Sequence, residues 1–229
     1  MATRLYLPAS AAATPITPTP DAAWEDTSIL ARAMTSTASI ADPMATVSFA
    51  DADDTSKDIL FRQWISEPLT AGQTITGAQA LKAQARVSQA GTFNNMILTI
   101  GIRVIAANGT TVQKVVLAPT RDNNIAAGTL TNRAFTATSA ATNYTTVAED
   151  RLVFEVGMGG DPNAGSDHDS SMRFGDDAAS DLPEDDTTTT DLRPWIQLTN
   201  TLTFSAVVPT HIGAAFSEPE LPEAEMIPY

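Results

Sequence analysis

Short runs of β-branched and aromatic residues, bounded by Gly, Pro, Asn and Asp, dominate the middle of the chain. Alternation of apolar and polar positions in such runs is typical of β-strands, because successive side chains point to opposite faces of a sheet. The clearest case is residues 81–87, where Leu and Ala positions and a final Val alternate with Lys82, Gln84 and Arg86. We predict a half-buried strand whose cations lie in water.

Two apolar runs, residues 96–105 and 112–117, flank the dipeptide Asn108-Gly109. Asn-Gly is a strong signal for a tight hairpin turn, since both residues tolerate positive φ angles. We therefore predict a β-hairpin over residues 96–117.

Further runs complete the predicted set of strands. They cover residues 46–49, 59–65, 133–138, 151–156, 171–174 and 195–206. The last run places Trp195 and Gln197 on one face, and Ile196 and Leu198 on the other.

Residues 24–34 favour a short helix with Asp21 as its cap. Gly157–Gly160 follows a strand and indicates a flexible turn, because no helix follows that would cradle a phosphate.

Many short strands separated by turns predict an all-β fold, a jelly-roll-like antiparallel sandwich of two sheets. The chain has 229 residues, and a single β-sandwich often reaches roughly 200 to 250. Prolines concentrate near both ends, which favours extended termini. We therefore predict an N-terminal arm with a short edge strand over residues 1–22, a β-sandwich domain over 23–208, and an acidic C-terminal tail over 209–229.

The formal net charge of −14 disfavours nucleic acid and anionic membranes as partners, because both attract clustered Lys and Arg. The chain has no cysteine, which excludes disulfides, thiolate metal sites and cysteine nucleophiles. No apolar run approaches the ~20 residues needed to cross a bilayer as a helix. We expect neither a nucleic-acid nor a membrane partner.

Two acidic segments are candidate calcium sites, because calcium prefers closely spaced oxygen ligands. The first, residues 161–169, holds Asp161, Asn163, Asp167 and Asp169. The second, residues 176–186, contains six carboxylates: Asp176, Asp177, Asp181, Glu184, Asp185 and Asp186. Solvated turns stabilised by Asp and Asn account for the same composition, and this interpretation is the one we favour.

Other candidate chemistry is sparse. His168 and His211 are the two histidines, and neither has the spacing of a zinc site or a catalytic triad. A hydrolase with paired carboxylates stays open, but no pair is favoured. The three tryptophans, Trp24, Trp64 and Trp195, suit a sugar-stacking platform or, as we prefer, core and interface anchors. We assign no catalytic, cofactor-binding or metal residue.

Several segments together resemble a class of β-sandwich proteins encoded by tailed bacteriophages. They are Arg4–Pro8, Trp24, Arg32–Met34, Phe61–Ser66, Asp150–Val156 and Asp181–Thr187. The resemblance spans roughly residues 4–206. It implies a virion component of jelly-roll type, such as a capsid decoration, neck or tail protein, and it supplies no catalytic residues.

These observations predict a non-enzymatic structural protein on the surface of a phage particle, present in several copies. Its expected partners are other virion proteins and copies of itself, with the Pro-rich termini lying along adjacent subunits. The alternative is a carbohydrate-binding module for host adsorption, with calcium in the acidic loops and an exposed tryptophan. A third hypothesis is that the chain is a hydrolase of surface polysaccharide.

Overall fold

The structure is a computed structural model of the whole chain. It describes residues 2–9, 14, 16–27, 31–34, 36, 45–49, 57–89, 95–160, 170–175 and 180–205. Within these ranges every regular element is a β-strand, and most strands belong to two six-stranded sheets. The predicted all-β sandwich is therefore confirmed. No helix among the described residues has the length and apolar character to cross a membrane.

The first sheet, sheet A, is built around one central strand. Its members are β1 (Thr3–Tyr6), β4 (Ala45–Phe49), β7 (Ala80–Gln89), β10 (Thr131–Thr138), β13 (Ser170–Phe174) and β14 (Trp195–Leu198). β10 pairs along one side of β7. On the other side, β14 pairs with the first half of β7 and β13 with the second half. β1 lies outside β14, and β4 lies outside β13.

The second sheet, sheet B, faces the first. It contains β2 (Asp26–Thr27), β3 (Ala31–Ala33), β5 (Asp58–Ile65), β8 (Met96–Ile105), β9 (Val112–Ile125) and β12 (Arg151–Gly160). β12 lies between β5 and β8, and β9 forms the edge. β2 and β3 run parallel to β5, so the sheet is mixed where a purely antiparallel one was expected. A small pair, β6 (Thr74–Ile75) and β11 (Tyr144–Thr145), lies apart.

Alternation along the strands fills the space between the sheets. The alternating apolar positions of β7 are all buried, as predicted, and so are Ile196 and Leu198 of β14. Trp64 of sheet B meets Phe174 of sheet A edge to face within the core, with ring centroids 4.6 Å apart. One continuous apolar cluster therefore joins sheet A to sheet B.

The predicted hairpin is confirmed, with β8 and β9 paired across the turn at Asn108 and Gly109. Gly109 has a φ of 74°, in the left-handed region that glycine adopts readily. The Asn108 side chain accepts hydrogen bonds from the backbone N–H groups of Thr110 and Thr111, at 3.0 Å each. β9 continues to Ile125, beyond the predicted end.

The N-terminal residues lie against their own body. β1 pairs with β14, which is near the other end of the described chain, and Leu5 and Leu7 are buried in the core. Further along, Pro18 is buried, and Ile16 packs on a small apolar cluster on the outer face of sheet B. Extended segments of this kind attach by backbone pairing and by a few apolar anchors.

The predicted helix over residues 24–34 is wrong in its described part. Asp21 does form a turn, since its carboxylate accepts a hydrogen bond from Ala23 N at 3.0 Å. The chain then becomes extended and pairs with β5 as β2 and β3. Backbone hydrogen bonding to the edge of β5 outweighs the weak helical periodicity, because tertiary packing stabilises the paired strands more than propensity stabilises a short helix.

The predicted turn at Gly157–Gly160 is also wrong, because these residues complete β12. A Cβ added to Gly157 would lie 1.9 Å from the carbonyl oxygen of Ile59 and 2.8 Å from Cζ3 of Trp24. A Cβ on Gly159 would meet Arg121 Nε at 2.4 Å. These glycines allow other groups to pack closely on the strand, which is a recognised use of glycine within sheets.

Candidate functional site

Residues 180–194, here called the acidic loop, cover the outer face of sheet A. They were expected to be a solvated surface crossing, but the loop is anchored at both ends. Leu182 N donates to the Arg193 carbonyl at 2.9 Å, and Arg193 N donates to the Ser180 carbonyl at 3.0 Å. Trp195, which follows the loop, donates its indole N–H to the Leu182 carbonyl at 2.8 Å. The loop is therefore an ordered layer over the sheet.

One end of the acidic loop is joined to β1 through Asp181. The Asp181 carboxylate accepts hydrogen bonds from Arg4 at 2.8 Å and from the Tyr6 hydroxyl at 3.1 Å. Arg193 forms a second ion pair with it at 2.9 Å. Arg4 also lies over the Trp195 ring, 3.8 Å from its centroid, in cation–π geometry. Burial, followed by the nearby Asp181 charge, raises the pKa of the Tyr6 hydroxyl.

The other end is joined to β7 and β13 through Asp191. Both Arg86 and Arg173 form ion pairs with this carboxylate. Arg173 binds it with two nitrogens, at 3.1 and 2.7 Å, while Arg86 is largely buried beneath the loop. Burial and then the neighbouring Arg173 lower the pKa of Arg86. The prediction that the cations of β7 lie in water is therefore wrong for Arg86.

The middle of the acidic loop covers the free edge of β10. Asn132 N donates to the Thr188 carbonyl and Ala134 N donates to Asp186 Oδ1, each at 2.8 Å. The Asn132 amide also reaches the carbonyls of Pro183 and Asp185, at 2.8 and 2.7 Å. Unpaired N–H groups on an edge strand invite pairing with other chains. In this molecule the loop occupies them.

Asp185 folds the loop on itself. Its carboxylate accepts hydrogen bonds from the backbone N–H groups of Thr187 and Thr188, at 3.0 Å each, in an Asx-type turn. These bonds stabilise the charged form and lower the pKa of Asp185 to about 2. The acids of the loop therefore have local partners that do not require an added cation.

This turn makes the acidic loop sensitive to acid. Because the pKa of Asp185 is lowered to about 2, the stabilisation is complete above its unfolded pKa of about 3.9 and is lost as pH falls toward about 2. We expect the stability difference between the wild type and Asp185→Ala to be constant above about pH 5 and to shrink between about pH 4 and 2. Urea unfolding at several pH values measures it. A difference that does not change with pH contradicts the assignment.

The structure tests the calcium hypothesis for only part of the acidic residues. Among the described residues, no group of three or more potential metal ligands has a geometry suited to an ion, so residues 180–186 form no such cluster. The whole segment 161–169 and residues Asp176 and Asp177 lie outside the described residues, as do His168 and His211. The prediction for those positions stays open.

The three tryptophans are core and anchor residues, as we preferred. Trp24, Trp64 and Trp195 have relative exposures of 6%, 0% and 1%. Each indole N–H donates a hydrogen bond, to Glu155, to the Pro8 carbonyl and to the Leu182 carbonyl respectively. The exposed tryptophan required by the carbohydrate-binding alternative is therefore not provided by any of them.

A buried polar cluster on sheet B was not predicted. Glu155 of β12 is fully buried and accepts hydrogen bonds from Gln63 at 2.8 Å, Trp24 at 2.9 Å and the Asp21 backbone N–H at 3.0 Å. Arg103, which is also buried, forms an ion pair with the same carboxylate and donates to the Thr19 carbonyl at 2.9 Å. This cluster fastens residues 19–24 to the outer face of sheet B.

The charge of the chain is unevenly distributed. All 13 Lys and Arg residues lie in the described ranges, whereas 13 of the 27 Asp and Glu residues lie outside them. The described part is therefore close to neutral. Almost the whole net charge of −14 belongs to four stretches, residues 42–54, 161–169, 176–177 and 218–225.

Comparison with known proteins gives structural matches only. No protein-family model matches the chain, and no curated protein matches it. An α-amino acid ester hydrolase structure matches at 12% identity and a TM-score of 0.47, over 88% of this chain and 36% of that one. A CocE/NonD family hydrolase from Staphylococcus aureus matches at 10% identity and a TM-score of 0.40, over 87% and 36%. A structure of infectious bursal disease virus, Gx strain, matches at 16% identity and a TM-score of 0.22, over 71% of this chain and 41% of that one.

These matches correct one prediction. The chain was predicted not to be an enzyme, but the two hydrolases match with a probability of 1.00, so that prediction is wrong as stated and we do not retain it. The chain spans about a third of the length of either hydrolase. At these identities and TM-scores no activity is transferred from the matches to this chain.

Proposed function

We propose that this protein is a structural subunit of a bacteriophage particle, incorporated in several copies on the virion surface as a capsid decoration, neck or tail component. The resemblance to phage β-sandwich proteins supports this, together with the sandwich fold itself. The proposed partners are other virion proteins and further copies of the chain.

The observation that carries the proposal is the way the N-terminal segment is attached. β1 adds to the edge of β14 by backbone pairing, and Leu5 and Leu7 anchor it in the core. Strand addition with a few apolar anchors is a common mode of peptide recognition between chains. The C-terminal tail, residues 209–229, carries prolines and ends in the apolar run Met226–Tyr229. We propose that this tail attaches in the same way to a neighbouring subunit.

Deleting Pro219–Tyr229 tests the role of the tail. Residues 219–229 lie outside the described residues. We expect the truncated protein still to fold, because the described residues already form one continuous apolar core between the two sheets. We expect its incorporation into particles to fall at least about tenfold, since a loss of 1.4 kcal/mol in binding already has this effect. Quantitative mass spectrometry of purified virions, relative to the major capsid protein, measures the copy number.

A control and a contradictory result complete this test. Replacing Glu218, Glu220, Glu223 and Glu225 together by glutamine keeps the length and the apolar end, and should retain most of the incorporation if the apolar anchors dominate. Incorporation of the truncated protein at the wild-type copy number contradicts the docking role of the tail. The absence of the full-length chain from purified virions contradicts the proposed function itself.

A further inference from the structure

One edge of sheet A consists of two short strands in line. β14 and β13 both run antiparallel to β7, beside its first and second halves. β1 is antiparallel to β14, and β4 is antiparallel to β13. β1 and β4 therefore run in the same direction as β7 and follow each other along one edge. We call them the composite edge.

Among the described residues the composite edge is open, whereas the first half of the opposite edge of sheet A is covered by the acidic loop. On the opposite side, the acidic loop accepts hydrogen bonds from the N–H groups of Asn132 and Ala134 in β10. In the part of the chain that the structure describes, no backbone hydrogen bond is made to the outer side of β1 or β4. β4 presents the small exposed side chains of Thr46 and Ser48 and has no Lys or Pro that would block pairing.

The register of the sheet makes this edge self-complementary. Arg4 lies level with Lys82 of β7, since both pair with Gln197. Ser48 lies level with Ser88 of β7, since both pair with Ser171. Arg4 and Ser48 therefore lie three residues on either side of the level of Ala85 in β7. A two-fold axis placed at the edge at this level, perpendicular to the sheet, brings β1 of one copy antiparallel to β4 of the other.

The same axis matches the faces of the two strands. Arg4 would lie opposite Ser48 of the second copy, and Tyr6 opposite Thr46, all on the outer face. Leu5, which is buried, would lie opposite Val47, which packs partly on the core. Polar positions meet polar positions and apolar meet apolar, as register in a sheet with one buried face requires.

We propose that two copies of this chain join along the composite edge, with β1 of each paired antiparallel to β4 of the other. This inference rests on the proposed multi-copy function and specifies one contact within it. Such an interface is isologous, because the same surface is used by both partners, and pairs of this kind are the commonest symmetric oligomers.

A pair of engineered cysteines tests the contact directly, because the natural chain has none. In the variant Arg4→Cys/Ser48→Cys the two thiols of one chain lie about six residues, or about 20 Å, apart along the edge, too far for a disulfide within the chain. Across the proposed interface the Cβ atoms face each other at about 5 Å. We expect mild oxidation to give a covalent dimer, with peptides containing positions 4 and 48 linked. Each single variant should stay monomeric on a non-reducing gel.

A second test does not depend on Arg4, whose loss disturbs the contact with Asp181. In Thr46→Lys/Ser48→Lys, the new lysine at position 48 faces Arg4 of the second copy. We expect self-association, measured by sedimentation velocity, to weaken at least about tenfold, because like charges placed together across an interface cost several kcal/mol. The matched control is Thr136→Lys/Thr138→Lys on β10, which should associate like the wild type. Thermal unfolding confirms that both variants fold.

The outcomes separate this inference from the function on which it rests. Association that is unaffected by lysines on β4, together with no link between positions 4 and 48, overturns the composite-edge contact and leaves the multi-copy role standing. A wild-type chain that stays monomeric at every concentration and is absent from virions contradicts both. Links only between identical positions also overturn the proposed register.

Discussion

Replacing Glu155 by alanine is expected to lower the free energy of unfolding by about 3–5 kcal/mol, because it leaves the buried Arg103 charge without its carboxylate. The same change removes the acceptor for Gln63, for the Trp24 indole and for the Asp21 backbone N–H. The Gln63 and Trp24 donors are then left in buried positions without an acceptor, and the part-buried Asp21 N–H also loses its partner, which adds to the cost. Urea unfolding followed by tryptophan fluorescence measures the effect.

The control for this prediction is Glu149→Ala, since Glu149 is exposed. It should change stability by no more than about 0.5 kcal/mol. The variant Glu155→Gln keeps the shape but not the charge, and should fall between alanine and the wild type. We also expect Glu155→Ala to make the peptide bonds of residues 16–24 more susceptible to limited proteolysis. Equal stability of Glu155→Ala and Glu149→Ala contradicts the assigned role.

Replacing Gly157 by alanine should destabilise the fold by about 1–3 kcal/mol or more, since the added Cβ would overlap the Ile59 carbonyl oxygen at 1.9 Å. Backbone cannot move aside as a flexible side chain can, and the same methyl would press on Trp24 at 2.8 Å. Hydrogen exchange should show the loss first in β2 and β5, which meet at this point.

A matched glycine is available in the same chain. Nothing lies within 4 Å of a Cβ built on Gly128, so Gly128→Ala should be neutral or stabilise the protein by about 0.4–1 kcal/mol through the unfolded state. Differential scanning calorimetry of the two variants compares them under one condition. If both variants unfold at the same temperature, the close packing at Gly157 is not as described.

The β-strands were predictable because their signals are local. The alternation in β7 and the Asn108-Gly109 turn each follow from a few neighbouring residues, and both are confirmed. The end of β9 was missed because Pro119 suggests a stop. β9 is an edge strand whose register shifts opposite this proline, between Ile100 and Ile102, and edge strands and bulges tolerate proline. β14 ends at Leu198, earlier than predicted. In the chain after it, the backbone N–H groups of Thr199 and Thr203 instead donate hydrogen bonds to the side-chain oxygens of Gln79 and Gln73.

The polar clusters were not predictable, because their members are far apart in sequence. Glu155 meets Trp24 across 131 positions, and Arg4 meets Asp181 across 177. A glutamate between Phe154 and Val156 reads as an outward-facing polar residue, and that much is correct. What sequence alone does not show is that residues 19–24 lie over it and exclude water.

The covering of β10 also sets how far any sheet growth can proceed. An incoming strand at that side would meet Asn132 and Ala134 with their N–H groups already used by the acidic loop. This first half of β10 is therefore closed to strand addition, so an aggregating chain could extend sheet A on that side only beyond Ala134.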